Sequence, residues 1–237
     1  MRLGCLFFGG IMKLTKYFSK FELGLWSSSI LLITLFYFIF DRSGVLTLIA
    51  SLIGATSLIF CAKGNPFGQL LMVIFSVIYA IISLSFAYYG VMLTYLGMTC
   101  PMAVFALISW LRNPYNGNKS EVKVNIIGRM EVVFMLILSA IVTLIFYFIL
   151  KFFNTANLLP STLSVTTSFI AVYLSFRRSP YFALAYAAND VVLIFLWVMA
   201  AVQDPSYISV VVCFFTFLIN DLYGFISWKR MERRQKS

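Results

Sequence analysis

An all-α integral membrane protein of about eight transmembrane helices is the fold class this sequence predicts, and three observations predict it. Of 237 residues, 62% are hydrophobic and 11% are charged, whereas soluble domains run near 45–50% apolar and about 25% charged. Several apolar runs reach the ~20 residues needed to cross a ~30 Å hydrocarbon layer. Basic residues and prolines gather mostly between those runs. So few charges could not cover a water-soluble fold.

The spans are read in order as 24–40, 44–62, 67–88, 91–111, 130–150, 160–176, 181–202 and 206–228. The first carries Ser27, Ser28 and Ser29 but no deep charge, and an accessory or oligomer-contact helix is its expected role. The second runs from Gly44 to the residue before Lys63. Pro66, Pro160, Pro180 and Pro205 stand at or just before the starts of the third, sixth, seventh and eighth spans, where a missing N–H costs least. Pro101 falls inside the fourth and predicts a kink or local unwinding. The fifth follows the only long loop, 112–129.

Loop charges set the expected topology. One side would hold the N-terminus (Arg2, Lys13, Lys16, Lys20), Lys63, the long loop with Arg112, Lys119, Lys123 and Arg129, Arg177-Arg178, and the tail from Lys229 to Lys236. The other would hold Asp41, Arg42, Lys151 and Asp204. Lys and Arg collect in cytoplasmic loops, so both termini are expected in the cytoplasm. The net charge of +10 is accounted for by these loops, and nucleic acid is not an expected partner.

A repeat lies within the spans. Ile108-Ser109-Trp110-Leu111-Arg112 and Ile226-Ser227-Trp228-Lys229-Arg230 agree at four of five positions, at an offset of 118 residues. The same shift sets Tyr79 against Trp197 and lays the second span over the sixth. The expected organisation is a segment 1–42 with the accessory helix, a three-helix repeat 43–111, a loop and linker helix 112–158, a second repeat 159–228 and a basic tail 229–237. One linker crossing leaves the repeats parallel, a SWEET-like 3+1+3 core. Trp110 and Trp228 are expected as anchors at the membrane interface.

Two Asn-Asp dipeptides carry the functional signal: Asn189-Asp190 in the seventh span and Asn220-Asp221 in the eighth. Each lies about 10–14 Å deep from the basic side, at 1.5 Å rise per residue. An ionisable residue there costs ~2.5–3.5 kcal/mol even on the lenient insertion scale, which points to function. The alternative is a hydrogen-bonded clamp between the two helices. Tyr186 and Tyr223 share helix faces with Asn189 and Asn220, Trp197 follows two turns beyond Asn189, Tyr79 lies nearby, and Gln69 opens the third span. Aromatic faces beside amides and carboxylates suit a flat polar ligand carrying hydroxyls. The expected substrate-binding set is therefore Asn189, Asp190, Trp197, Asn220, Asp221, Tyr186, Tyr223, Tyr79 and Gln69. Asp190 and Asp221 are also the candidates for proton or sodium coupling.

Other chemistries find little support. Histidine is absent, and no nucleophile elbow, phosphate loop or paired-carboxylate motif in a soluble segment is present, so neither catalytic residues nor a cofactor are expected. Cys5, Cys61, Cys100 and Cys213 lack the short spacing of a metal site or disulfide framework and are expected as packing residues. No cleavable signal is evident, and Met12-Lys13 would serve as well as Met1 for a start.

Longer motifs carry a resemblance. They are Ala87-Tyr88-Tyr89-Gly90, Thr94-Tyr95-Leu96-Gly97-Met98-Thr99 and Ile108 through Tyr115, then Ala185-Tyr186-Ala187-Ala188-Asn189-Asp190, Trp197, and Asn220-Asp221-Leu222-Tyr223-Gly224-Phe225 ending at Trp228. Over most of residues 65–232 the chain resembles the PnuC family of nicotinamide riboside (vitamin B3) transporters. The resemblance implies a SWEET-like core, a homotrimer in the lipid of a bacterial cell membrane, and uptake of a pyridine riboside without ATP, followed by intracellular phosphorylation that traps it. It also implies that amide and aromatic side chains bind the ligand; carried over by position, these include Asn189, Trp197 and Asn220. Val91 departs from the family's pattern, in which that position is often acidic. Relatives that carry other vitamins such as thiamine share the fold. A sugar carrier and a non-transporting scaffold or sensor remain the alternatives.

Overall fold

In hydrocarbon each backbone polar group has to find its partner within the chain, so apolar runs of this length fold as helices. The computed structural model describes residues 17–42, 44–85, 89–155 and 157–237. Among these are eight helices long and apolar enough to cross a membrane. Arg2, Cys5, Met12, Lys13 and Lys16, and the motif residues Ala87 and Tyr88, lie outside the described residues.

The helices are α1 (Lys20–Phe36), continued by a π-helical turn (Tyr37–Asp41), α2 (Val45–Ala62), α3 (Pro66–Ser85) and α4 (Tyr89–Arg112). A short hairpin of β1 (Pro114–Tyr115) and β2 (Asn118–Val122) precedes α5 (Arg129–Phe152). Then come α6 (Leu158–Phe176), α7 (Tyr181–Ala201) and, after a 3-10 turn at Pro205–Tyr207, α8 (Ile208–Lys236).

Local chemistry explains where these elements differ from the expected spans. Helix α1 starts four residues early because Ser19 and Glu22 form a capping box: Glu22 N–H donates to Ser19 Oγ at 3.2 Å and Ser19 N–H to Glu22 Oε2 at 2.7 Å. In α4 the residues before Pro101 form a π-helical turn, Tyr95–Thr99. This is the local unwinding that the proline's missing N–H and ring impose. The basic stretch after Trp228 is the last two turns of α8, where Glu232 pairs with Lys229 and Lys236. These turns dock on the hairpin and the residues just after it: Gln235 Nε2 donates to the Val122 carbonyl at 3.1 Å, Gln235 Oε1 accepts from Val124 N–H at 2.8 Å, and Arg234 pairs with Glu121. The hairpin itself turns at Asn116 and Gly117, both at positive φ, and the Asn-Gly dipeptide was its available signal.

Six helices pack as a closed ring in the order α2, α3, α4, α6, α7, α8 and back to α2. Outside it, α1 covers the α8–α2 seam, while α5 packs on α6 beside the α4–α6 seam. At the end that carries the basic loops, each Ser-Trp dipeptide ties one seam. Ser109 Oγ and Trp110 Nε1 donate to the Phe176 and Ser175 carbonyls of α6, both at 2.8 Å. Ser227 Oγ and Trp228 Nε1 donate to the Ala62 and Cys61 carbonyls of α2, both at 2.7 Å. The matching bonds set Cys61 against Ser175 and Ala62 against Phe176, an offset of 114. In these bonds α4 matches α8 at an offset of 118 and α2 matches α6 at 114, about one helical turn less, so a single gap-free shift of 118 does not relate both pairs.

Trp110 and Trp228 are not interface anchors. Both are 0% exposed, their rings 5.2 Å apart, with Phe182 edge-on to each. An indole N–H with a carbonyl partner can be buried without penalty, and here the pair plugs the basic end of the ring. The end of the hairpin and the segment after it span both neighbouring turns, since Val122 N–H donates to the Gly64 carbonyl at 2.9 Å and Asn125 N–H to the Arg178 carbonyl at 3.0 Å.

Helices α2 and α3 approach backbone to backbone at Gly68, where an added Cβ would lie 2.6 Å from Cys61 N and 2.8 Å from the Ser57 carbonyl oxygen. Backbone cannot yield as a side-chain tip can, so Gly68→Ala is expected to cost about 1–3 kcal/mol and lower the thermal midpoint of the detergent-solubilised protein. Gly24→Ala, which meets nothing within 4 Å, is expected to leave the midpoint unchanged or raise it slightly. Equal midpoints for Gly68→Ala and wild type would contradict this account of the crossing.

Candidate functional site

The ring encloses a cavity of about 710 Å³. At the end away from the basic loops it is lined by Asn154 and Asn157 of the α5–α6 turn and by Gln203, Asp204 and Tyr207 of the α7–α8 turn. It extends inward to Asp190, Asp221, Gly54, Leu58 and Met72, and the Trp110–Trp228 plug lies beyond. Gly54 lets the Phe217 ring form the wall, because a Cβ there would meet Phe217 Cζ at 2.5 Å.

Six of the nine residues expected from sequence line this space: Tyr79, Tyr186, Asn189, Asp190, Trp197 and Asp221. Asn189 Oδ1 accepts from Thr167 Oγ1 at 2.8 Å and Ser168 Oγ at 3.1 Å. Two hydroxyls on the carbonyl side leave the amide nitrogen as the donor Asn189 can offer a ligand. Trp197 packs on Tyr207 with ring centroids 5.3 Å apart, and Tyr79 on Tyr95 at 4.9 Å, so the cavity has aromatic faces on two sides. Asp190 and Asp221 lie against each other at its inner end. Both are about 5% exposed or less, and Asp190 Oδ2 has no hydrogen-bond partner among the described residues.

The other three expected residues lie elsewhere. Asn220 faces α1, with Nδ2 donating to Ser29 Oγ and to the Thr216 carbonyl, each at 2.8 Å. One residue from Asp221, it is turned about 100° around the helix, and on α8 that step faces α1 and not the cavity. Tyr223 also faces α1 and donates to Glu22 Oε1 at 2.9 Å. Gln69 sits beside the tryptophan plug, with Nε2 donating to Ser175 Oγ at 3.0 Å. The Asn-Asp pair of α7 thus faces the cavity with both members, while that of α8 divides between cavity and clamp.

Several lining residues were not in the expected substrate-binding set. Ser161, Ser164 and Ser168 of α6 form a hydroxyl stripe along one wall, and Thr94, Tyr95 and Thr99 line another. The serine spacing of three and four residues is the mark of one helix face and was legible. Val91 also lines the cavity, so the departure noted from sequence falls within the site. Cys61, Cys100 and Cys213 are free thiols.

A ring of spanning helices around an aromatic-walled cavity that holds a few polar side chains and buried carboxyl groups is the build of a multi-pass membrane transporter. The chain belongs to the nicotinamide mononucleotide transporter family, whose model matches residues 44–230, the family to which its PnuC-like motifs point. It is 23% identical over 202 residues to a nicotinamide riboside transporter PnuC of Neisseria mucosa, spanning 83% of this chain and 76% of that one. The fold matches a crystal structure of the vitamin B3 transporter PnuC with a TM-score of 0.78 at 20% identity, over 92% of this chain and 94% of that one.

Proposed function

We propose that this protein takes up nicotinamide riboside by facilitated diffusion across a bacterial cell membrane, and that phosphorylation inside the cell traps the substrate. The observation that carries the proposal is the pair of carboxyl groups, Asp190 and Asp221, at the inner end of an aromatic-walled cavity. A pyridinium ring is flat and cationic; it stacks on tryptophan and tyrosine, and a carboxylate offsets the cost of bringing its charge into the bilayer. The amide of Asn189 and the serine hydroxyls of α6 suit the carboxamide and ribose hydroxyls.

The same lining separates riboside from mononucleotide. No Lys, Arg or His is among the described lining residues, so a phosphate dianion would meet carboxyl groups with no cation to receive it. The name of the related Neisseria protein agrees with this preference. The proposal includes cytoplasmic termini, supported by the basic loops at the plugged end. It also includes a homotrimer, for which the exposed apolar faces of α1 and α5 offer surface. It assigns the protein no catalytic step.

Calorimetry with purified protein checks the ligand. Wild type is expected to bind nicotinamide riboside, with the mononucleotide at least roughly tenfold weaker, a difference of about 1.4 kcal/mol. Trp197→Ala should lose about 0.5–1.5 kcal/mol of stacking, and Asn189→Ala about 1–3 kcal/mol through an unpaired ligand group. Preference for the mononucleotide, for thiamine or for a sugar would replace the riboside as substrate.

Transport in liposomes checks the energetics. Labelled riboside is expected to equilibrate at the same rate and to the same level with or without a proton or sodium gradient. Accumulation above the outside concentration, abolished by a protonophore or by Asp190→Asn, would contradict facilitated diffusion.

A further inference from the structure

Helix α1 precedes the segment matched by the family model, yet it is tied to both sides of the seam it covers. Trp26 Nε1 donates to Thr56 Oγ1 of α2 at 3.2 Å. Near the basic end, Glu22 pairs with Lys63 Nζ at 3.4 Å and accepts from Tyr223 Oη of α8 at 2.9 Å. Deeper in the span, Ser29 Oγ accepts from Asn220 Nδ2 at 2.8 Å and donates to the Leu25 carbonyl at 2.8 Å. Ser29 and Asn220 are 3% and 2% exposed. A helix that only faced lipid or a neighbouring copy would have no use for this buried network.

Among the described residues the Asn220 side chain has one other bond, from Nδ2 to the Thr216 carbonyl. That acceptor belongs to α8 and turns with it, so it cannot fix how α8 faces its neighbours. The bond to Ser29 can. Asn220 and Asp221 are about 100° apart around one helix, and holding the first on α1 directs the second into the cavity.

We infer that Ser29 is a positioning residue for the binding site: by holding Asn220 it fixes the rotation of α8 and thereby the place of the Asp221 carboxyl in the cavity floor. The inference rests on the proposed role of that carboxyl in binding a cationic ligand. The Tyr223–Glu22 bond gives α8 a second hold on α1, so loss of Ser29 loosens the setting without releasing the helix.

The test uses the full-length protein and two readouts. Ser29→Ala retains a strong helix former and is expected to weaken nicotinamide riboside binding about three- to tenfold. Ser29→Thr, which keeps the hydroxyl, should restore most of it. In an Asp221→Asn background, Ser29→Ala should cause no further loss, because its effect runs through that carboxyl. Independently of any ligand, the labelling of Asp221 by dicyclohexylcarbodiimide, located by mass spectrometry, should fall at least twofold in Ser29→Ala.

Unchanged labelling together with unchanged binding would overturn the inference. So would a loss of binding that adds in full to that of Asp221→Asn, the mark of general destabilisation. A wild type that does not bind the riboside contradicts the proposed substrate, and the labelling comparison still decides the role of Ser29.

Discussion

Helix α8 carries polar contacts that point in three directions, and one rotation has to satisfy them together. Asn220 is bonded to Ser29 of α1, Asp221 lies in the cavity floor beside Asp190, and Ser227 and Trp228 are bonded to the last carbonyls of α2. Each of these groups is costly to leave unpaired where no water reaches. A turn of α8 that freed one would strand the others. The cavity depends on this setting, because α8 supplies both a wall, through Phe214 and Phe217, and one of the two carboxyl groups at its inner end.

The ring closes by the same economy at its other seam, where Ser109 and Trp110 of α4 hold the end of α6. The outer helices differ in how they support these seams. Helix α5 adds a Thr143–Thr166 hydroxyl bond and a paired Arg177–Glu131 contact, all to α6 and its end. Helix α1 bridges both sides of its seam, with bonds to α2 and α8 alike. The half of the ring that carries Asp221 is therefore held by a helix outside the six.

Much of this was legible in the sequence. Apolar run lengths gave all eight spans, and Pro101 marked the unwound turn of α4. The Asn-Asp pairs and their aromatic neighbours led to the cavity, because a carboxyl in a span is costly enough to signal use. What sequence could not supply was rotation. Asn220 and Asp221 are neighbours in the chain but face different neighbours, and packing against α1 and α2 decides which of them faces the cavity. Trp110 and Trp228 stand within two residues of a basic side chain at the ends of apolar runs, a pattern shared by interface anchors and by buried plugs; the partner carbonyls lie 65 and 167 residues away. The role of α1 was hidden for the same reason, since Ser29 and Asn220 are 191 residues apart.

The central claim is that the carboxyl pair selects the positive charge of the ligand's ring. Nicotinamide riboside and its reduced dihydro form share the carboxamide and the ribose and differ in that charge. Titration of the purified protein with each, under identical salt and pH, isolates it. The account predicts that the dihydro form binds at least about tenfold more weakly, or about 1.4 kcal/mol, and that Asp190→Asn narrows the gap. Equal affinity for the two forms in the wild type would contradict it.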